Sequence, residues 1–506
     1  MKDTGTLRAK RNIAATLANQ LVSTLCGILV PRVMIAAFGS AVYGATTSIA
    51  QFLSYISLLE GGIGRVARGA LYPPLAKGDE TGVSRVYHAL RRFFGGVGLA
   101  FLGYTLVLSL TYHRIADVGE LSRGYVFALV WAISLSSLAK YLWGLPNITL
   151  LNADQRQYVT NTVILATTIA NVLLIALLTR MGCGVVTVKL GSSLIFVLRP
   201  LILSVYVRRH YALPKMPLEK NVLPQKWTGL GQHLAYTVHS NTDVMILTVC
   251  ADLRLVSVYS VYHLIISSVR NIAASFSGGM EAVFGELIAK NEGEKLRQTC
   301  RDYQALLSVV SMVLFGTTGG LILPFVRLYT AGISDAEYIR PGFALALLLA
   351  EGVGCLALPW AALPIGANRL KQTKWGAYGE AALNLGLSLM LIRWDPLVGV
   401  ALGTLISVIG KSVYDLHHCA KYILQQRFSR MLFEFLASVG AMALIGAGGM
   451  TLLNQVDITS FGHWALWAVG MTALAAVASL TVNRLLYPEA FRRVLAGLVG
   501  RFGRKP

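Results

Sequence analysis

Five basic residues stand inside long apolar stretches of this chain: Arg32 in LVPRVM, Lys140 in SSLAKYLWGLP, Arg199 in FVLRPL, Arg270 in HLIISSVRNIAAS and Lys411 in VIGKSV. A sixth, Arg65, follows Glu60 in LLEGGIGRVARG (58–69), where glycines leave room for a bulky ligand. An ionisable side chain at membrane depth costs several kcal/mol, so it faces a water-filled cavity or a partner. Arginine offers a planar fork for phosphate oxygens and lysine a point charge. Six such cations suit a strongly hydrated anion such as a diphosphate. Pro31 interrupts the backbone ladder beside Arg32, which favours a cavity-facing kink. The competing role for Arg32 is snorkelling to the nearer interface, and for Arg68 anchoring at the membrane surface. Arg199 and Lys411 are alternatively structural cations near carbonyls.

The acids suggest a second role. Asp243 follows His239 by four residues, so the two share a helix face. Either can carry a proton, and Asp243 is alternatively a local hydrogen-bonding group. Glu60, Glu351, Glu380 and Asp415 are placed to pair with the cations or to carry protons. Lys411 and Asp415 are i,i+4 neighbours and read as a structural pair. The six cysteines are scattered, with no metal-ligand or disulfide spacing. No nucleophile–base pair is visible. Neither an enzyme nor a bound cofactor is expected.

These residues need helices to hold them at depth. The chain has 506 residues, 55% hydrophobic and only 14% charged, with a mean hydropathy of +0.59. Soluble domains carry about 25% charged residues. An all-α integral membrane protein is therefore expected, with about fourteen spans of about 20 residues each. The apolar runs place them near 13–38, 41–65, 88–111, 124–150, 159–180, 184–207, 230–251, 255–277, 303–326, 338–363, 377–393, 397–418, 432–454 and 462–487. The basic N-terminus leads into an apolar run too long for a signal-peptide core, so an uncleaved first helix is expected. The net charge of +21 would fit nucleic acid. Most of the 45 lysines and arginines, however, fall in segments on one side of this map. That is the positive-inside pattern, with both termini cytoplasmic and no nucleic-acid partner.

The halves repeat. At an offset of 213, Arg156 aligns with Arg369, Asn171 with Asn384 and Arg180 with Arg393; after a one-residue gap, Gly191 aligns with Gly403 and Arg199 with Lys411. Two parallel six-helix lobes imply a pseudo-two-fold axis along the membrane normal, with a substrate site between the lobes. The expected divisions are an N-lobe (1–207), a basic cytoplasmic linker (208–229), a C-lobe (230–420), two further helices (421–487) and a basic amphipathic tail (488–506). In the tail Phe491, Leu495, Leu498 and Phe502 recur at helical spacing, which suits an interfacial helix on anionic lipid.

The stretch FGSAVYGATTSIAQFLSYISLLEGGIG (38–64) resembles the opening helices of bacterial polysaccharide flippases of the MOP superfamily, with Glu60 in the acidic place of a Gly-rich element. NTDVMILTVCADLRLVSVYSVYHLI (241–265) is similar to their seventh and eighth helices, and the loop 364–374 followed by AALNLGLSLMLI also fits. The resemblance spans roughly residues 10–420 and implies a MOP/MATE-like fold of two six-helix lobes plus two C-terminal helices. It implies flipping of an undecaprenyl-diphosphate-linked oligosaccharide across the bacterial inner membrane by alternating access, for O-antigen, capsule or exopolysaccharide synthesis. Membrane lipids, a polymerase and chain-length proteins would be partners. Lipid II flippases, more distant relatives, carry arginines on their first, second and eighth helices, and Arg32, Arg65 and Arg270 are the similar positions. Their sodium site is matched by Asp243, Asn384, Val400 and Thr404, but Ser388 stands where a second acid is found. That departure makes a proton on Asp243, His239 or Glu60 a competitor to sodium as coupling ion. A MATE-like drug or metabolite exporter is the first alternative function. A polysaccharide polymerase or ligase is the second, disfavoured by the absence of a long outside loop.

Overall fold

The break after the first long apolar run falls at Gly39, whose φ of 80° and ψ of 168° are accessible only without a Cβ. It falls in the gap expected between residues 38 and 41, and it divides α1 (Lys2–Ser54) into two helical pieces. The computed structural model describes residues 2–60, 63–117, 121–214, 230–277 and 279–493. These residues form α-helices joined by short turns, with no strand among them. Two compact units are present, Met1–Ser257 and Val258–Pro506.

The first unit continues with α2 (Ile63–Lys77), α3 (Glu80–Ile115), α4 (Arg123–Ala139), α5 (Leu145–Ala153), α6 (Gln157–Arg180), α7 (Val185–His210) and α8 (Leu230–Cys250). Helix α1 lies along α6, and α7 packs against both α4 and α6. Helices α4 and α5 form one membrane element joined by a π turn at Lys140–Gly144. Helix α8 is tied to α1 by Thr248, which donates to Ser48 at 2.7 Å, and by the Gln51 amide, which donates to Asn241.

The second unit opens with α9 (Leu253–Ser275), which starts before the boundary. It continues with α10 (Met280–Ala289), α11 (Gly293–Tyr329), α12 (Pro341–Leu356), α13 (Leu358–Gly366), α14 (Leu370–Leu391), α15 (Pro396–Cys419), α16 (Phe428–Asn454) and α17 (Phe461–Leu486). Here α15 packs on α12 and α14, while α16 and α17 both pack on α11. The helical start of the tail, 488–493, is held by a bidentate Arg493–Asp302 pair at 2.8 and 3.1 Å. The rest of the expected amphipathic tail and linker residues 215–229 lie outside the described residues.

Eleven stretches among the described residues are long and apolar enough to cross a membrane. The difference from the expected fourteen has identifiable causes. The first two expected helices, divided by the kink at Gly39, count together as the single stretch Arg11–Glu60. Of α8, Asn241–Cys250 is a shorter apolar stretch. Helix α14 is unbroken but carries Glu380 and Asn384 in mid-course. The stripe Ile13, Leu17, Leu21, Leu25 and Leu29 on α1 is more than half exposed, an arrangement that suits lipid rather than water. The chain is a multi-pass membrane protein.

One expected boundary moves. The second apolar helix does not run to 65: it tightens to a 3₁₀ stretch at Tyr55–Glu60, and Arg65 and Arg68 belong to α2. Successive glycines at 61, 62 and 64 remove the propensity that would carry a helix through.

The sequence repeat has a backbone counterpart. Gln155 and Asn368, 213 residues apart, both adopt positive φ, 55° and 53°. The amide of Arg156 donates to the Leu151 carbonyl, and that of Arg369 to Pro364, both at 2.8 Å. The same left-handed turn thus closes the helix before each Arg in both units.

Candidate substrate and ion sites

Within the first unit a cavity of about 260 Å³ lies among α4, α5, α6 and α7. Lys140 and Arg199 both line it, with Ser136, Ser137 and Thr160. The π turn that starts at Lys140 shifts the helix register there, a feature frequent at functional sites. Arg199 Nε donates to Thr167 Oγ1 at 2.6 Å and its Nη2 to Thr168 Oγ1 at 2.9 Å, while its guanidinium lies 4.1 Å from the Phe196 ring centroid. These partners are neutral, so the charge is oriented and not cancelled. The Thr160 hydroxyl oxygen is buried with no hydrogen-bond partner, which leaves a donor for a ligand. Lys140 Nζ sits 3.7 Å from Glu60 Oε1, and Glu60 also accepts from the Tyr141 hydroxyl at 2.8 Å.

The repeat makes a comparison between units informative. Arg199 corresponds to Lys411, and Thr167 to Glu380. In the second unit the cation therefore meets acids: Lys411 Nζ is 3.9 Å from Glu380 and 3.4 Å from Asp415. The expected i,i+4 pairing of Lys411 with Asp415 is present. Equivalent positions carry opposite electrostatics: an uncancelled cation in one unit, two carboxylates around one lysine in the other.

Arg270 has a partner that its sequence position does not reveal. Its Nη1 contacts Glu351 Oε2 at 3.1 Å and Oε1 at 3.4 Å, and His263 Nε2 lies 3.9 Å from Glu351 Oε1. His263 stacks on Tyr259, one helical turn away, with centroids 5.5 Å apart.

Asn384 Nδ2 donates to Thr404 Oγ1 at 2.8 Å, and Thr404 donates to the Val400 carbonyl at 3.1 Å. The first unit repeats the link, since the Ser192 hydroxyl donates to Asn171 Oδ1. The bond itself is therefore part of the shared scaffold. What differs is Asn384 Oδ1 and Ser388 Oγ, one turn apart, both fully buried and both without a hydrogen-bond partner. Hard neutral oxygens of this kind fit a sodium ion. Among the described residues no three His, Cys, Asp or Glu side chains converge as a transition-metal site.

The remaining expected residues are placed as follows. Arg32 is half-buried on α1, one residue beyond Pro31. Asp243 is 5% exposed on α8, beside Tyr55. The side chains of Arg65 and His239 lie outside the described residues, although their backbones are helical. Thr160, Thr167, Thr168, Tyr141 and His263 are site residues that sequence reading passed over. Only the repeat, which sets Thr167 against Glu380, held a signal for any of them.

No family model matches the chain, and no curated protein is similar to it in sequence. Solved structures are similar in fold. The lipid II flippase MurJ in an inward closed conformation aligns at a TM-score of 0.68 with 14% identity, covering 94% of this chain and 99% of that one. An inward-facing multidrug resistance MATE family transporter of the MOP superfamily aligns at 0.58 with 12% identity, covering 80% and 95%. A complex of the MATE multidrug transporter DinF-BH aligns at 0.57 with 15% identity, covering 83% and 97%. These neighbours are transporters and a flippase, not enzymes. The chain shares the fold of these structures.

Proposed function

We propose that the protein flips undecaprenyl-diphosphate-linked oligosaccharide units from the cytoplasmic to the periplasmic side of a bacterial inner membrane, by ion-coupled alternating access, to supply O-antigen, capsule or exopolysaccharide synthesis. The observation that carries this reading is the cavity of the first unit, where Arg199 keeps its charge on neutral partners beside Lys140. A cavity with that charge attracts a diphosphate and repels the cationic drugs typical of an exporter. Arg32, Arg65 and Arg270 are further cations assigned to the head group, while Lys411 is held by Glu380 and Asp415. The basic flanks support cytoplasmic termini by the positive-inside pattern. The lipid tail stays in the bilayer, so only the head group needs a polar path. A polymerase and chain-length proteins of the same pathway would take up the product. The test is removal of the gene from its host. Surface polymer should be lost and the lipid-linked oligosaccharide should accumulate inside; unchanged polymer would rule the reading out.

The LLEGGIGRVARG stretch supplies a sharper expectation. Arg65, next to the glycines, is assigned to the incoming diphosphate, and Arg68 to the membrane surface. Arg65→Ala should cut export at least about tenfold, a loss of one charge-assisted phosphate contact of roughly 1.5–3 kcal/mol. Arg68→Ala should leave export near wild type. Equal effects in a polymer-export assay would show that the division of roles is wrong.

For the coupling ion, the orphaned oxygens of Asn384 and Ser388, with Thr404 and the Val400 carbonyl beside them, support sodium. Saturating sodium, against choline, should raise the thermal midpoint of the purified protein by the equivalent of about 2–3 kcal/mol at roughly a hundred times Kd. Asn384→Ala should lose the shift. An equal shift in both proteins would discard this site and leave a proton on Asp243, His239 or Glu60.

A MATE-like exporter is the second reading. Glu380 and Asp415 around Lys411 give the second unit a local acidic surplus that suits a cationic substrate. Resistance to cationic dyes conferred on a sensitive host, with polymer unaffected, would favour it.

A further inference from the structure

We propose that Glu351, Arg270 and His263 form a proton-operated gate, in which the Glu351 carboxylate competes with the anionic ligand for Arg270 and protonation of Glu351 releases the arginine. This rests on the anionic substrate assigned above. Helix α9 brings Arg270 and His263, two turns apart, to face Glu351 on α12. Among the described residues, the hydrogen bonds of Arg270 to side chains both use Nη1, so Nε and Nη2 of the fork remain for a phosphate. A static structural pair would engage the fork face-on, as Arg493 does with Asp302 through Nε and Nη2. The Glu351 side chain is 17% exposed and Arg270 40%. The carboxylate is thus the more enclosed member, and the arginine the one a ligand can reach.

The other titratable groups around Glu351 do not substitute for these two. Cys355 stands one turn along α12, and Tyr303 of α11 lies beside Cys355. Helix α15 contributes Lys411 and Asp415, which are paired with each other. Helix α16 contributes Glu434, which is held by Arg301 and Arg430. His263, 3.9 Å away, is the group placed to pass a proton to Glu351. The step moves one proton from hydronium to the Glu351 carboxylate, directly or through the His263 imidazole: the donor O–H or N–H bond breaks as the carboxyl O–H forms, and no other covalent bond changes. On return of the proton to water, the carboxylate reclaims Arg270 and expels the ligand. Proton and anion therefore help each other bind, and the coupling is reciprocal. A diphosphate carries more than one negative charge. Its export with one proton still moves net negative charge outward, in the direction a potential negative inside favours.

The test uses full-length protein in detergent, with undecaprenyl diphosphate as the probe, its binding read by tryptophan fluorescence between about pH 5.5 and 8. Infrared difference spectra of the same samples would show the carboxyl stretch of a buried protonated acid. Wild-type affinity should rise as pH falls, by up to about tenfold per pH unit, and the carboxyl band should appear. Glu351→Gln should bind tightly with only the ligand's own pH slope, and should lack the band. A Glu351→Gln protein with the full wild-type slope, or a wild type with no slope beyond that of the variant, overturns the gate while the lipid-diphosphate reading stands. A wild type that shows the band but binds no undecaprenyl diphosphate at any pH overturns that reading and leaves the proton site in place. If Glu351→Gln fails to fold, the wild-type slope and band decide alone: absence of either overturns the gate.

Discussion

Replacing Arg199 by alanine is expected to abolish polymer export at a normal level of membrane-inserted protein, whereas Lys411→Ala is expected to lose export together with the protein. The two residues occupy equivalent places in the repeat, so a purely architectural role would give them the same phenotype. Their surroundings argue otherwise. Arg199 leans on Thr167 and Thr168, and the Thr167 hydroxyl also donates to the Val163 carbonyl at 2.7 Å. Removing the arginine strands no charge and leaves that hydroxyl a backbone partner. The loss falls on ligand binding in the cavity. Removing Lys411 instead leaves Glu380 and Asp415 facing each other, their side chains only 13% and 9% exposed. Breaking a buried pair from one side costs about 3–5 kcal/mol, comparable with a large share of the stability of a folded domain. Polymer export and immunodetected protein level, measured together, separate the two outcomes. Arg199→Lys should retain part of the activity, since it keeps the charge and loses the fork. Normal export by Arg199→Ala would remove the cavity from the mechanism.

The helices were legible because apolar runs of membrane length admit one solution, and the repeat was legible because residues such as Arg156 and Arg369 recur at a fixed offset, each just after a left-handed turn at Gln155 or Asn368. Local pairs were legible too: Lys411 and Asp415 are one turn apart, and the ion pair follows from helix geometry. The pairing of Arg270 with Glu351 was not, although both residues stand out in the sequence. They are 81 residues apart, and nothing in either helix reports which neighbour it will meet. His263 was missed for a related reason, since a single histidine in an apolar helix carries no pattern. The turn in LLEGGIG shows a different limit. Hydrophobicity continues through it, so periodicity extends the helix, while the conformational cost of successive glycines ends it. Asn384 drew attention by resemblance, but only the structure distinguishes its shared hydrogen bond from its orphaned oxygen.

Gly319→Leu is expected to cause a large loss of stability. Helices α11 and α16 approach backbone to backbone: a Cβ on Gly319 would lie 2.6 Å from Gly446 Cα and 3.0 Å from its carbonyl oxygen. A Cβ on Gly316, on the turn before, would lie 2.6 Å from Ile445 Cγ2. In lipid, apolar surface gains little by leaving the solvent, so helix association rests on close packing of this kind and on polar contacts such as Ser308 with Ser438 at 3.2 Å. A backbone obstacle cannot rotate aside as a side chain can. Overpacking costs about 1–3 kcal/mol where neighbours adjust, and here it should reach or exceed the upper end. Gly440→Leu, on the same helix α16 but with open space around its Cβ position, is the control and should behave as wild type. The measurement is the thermal midpoint of detergent-purified protein, together with the amount recovered from membranes. Because α11 also packs against α12, which carries Glu351, loss of the α11–α16 seam should loosen the Arg270 pair as well. Recovery and thermal midpoint equal to those of Gly440→Leu would show that this contact does not hold α16 in place.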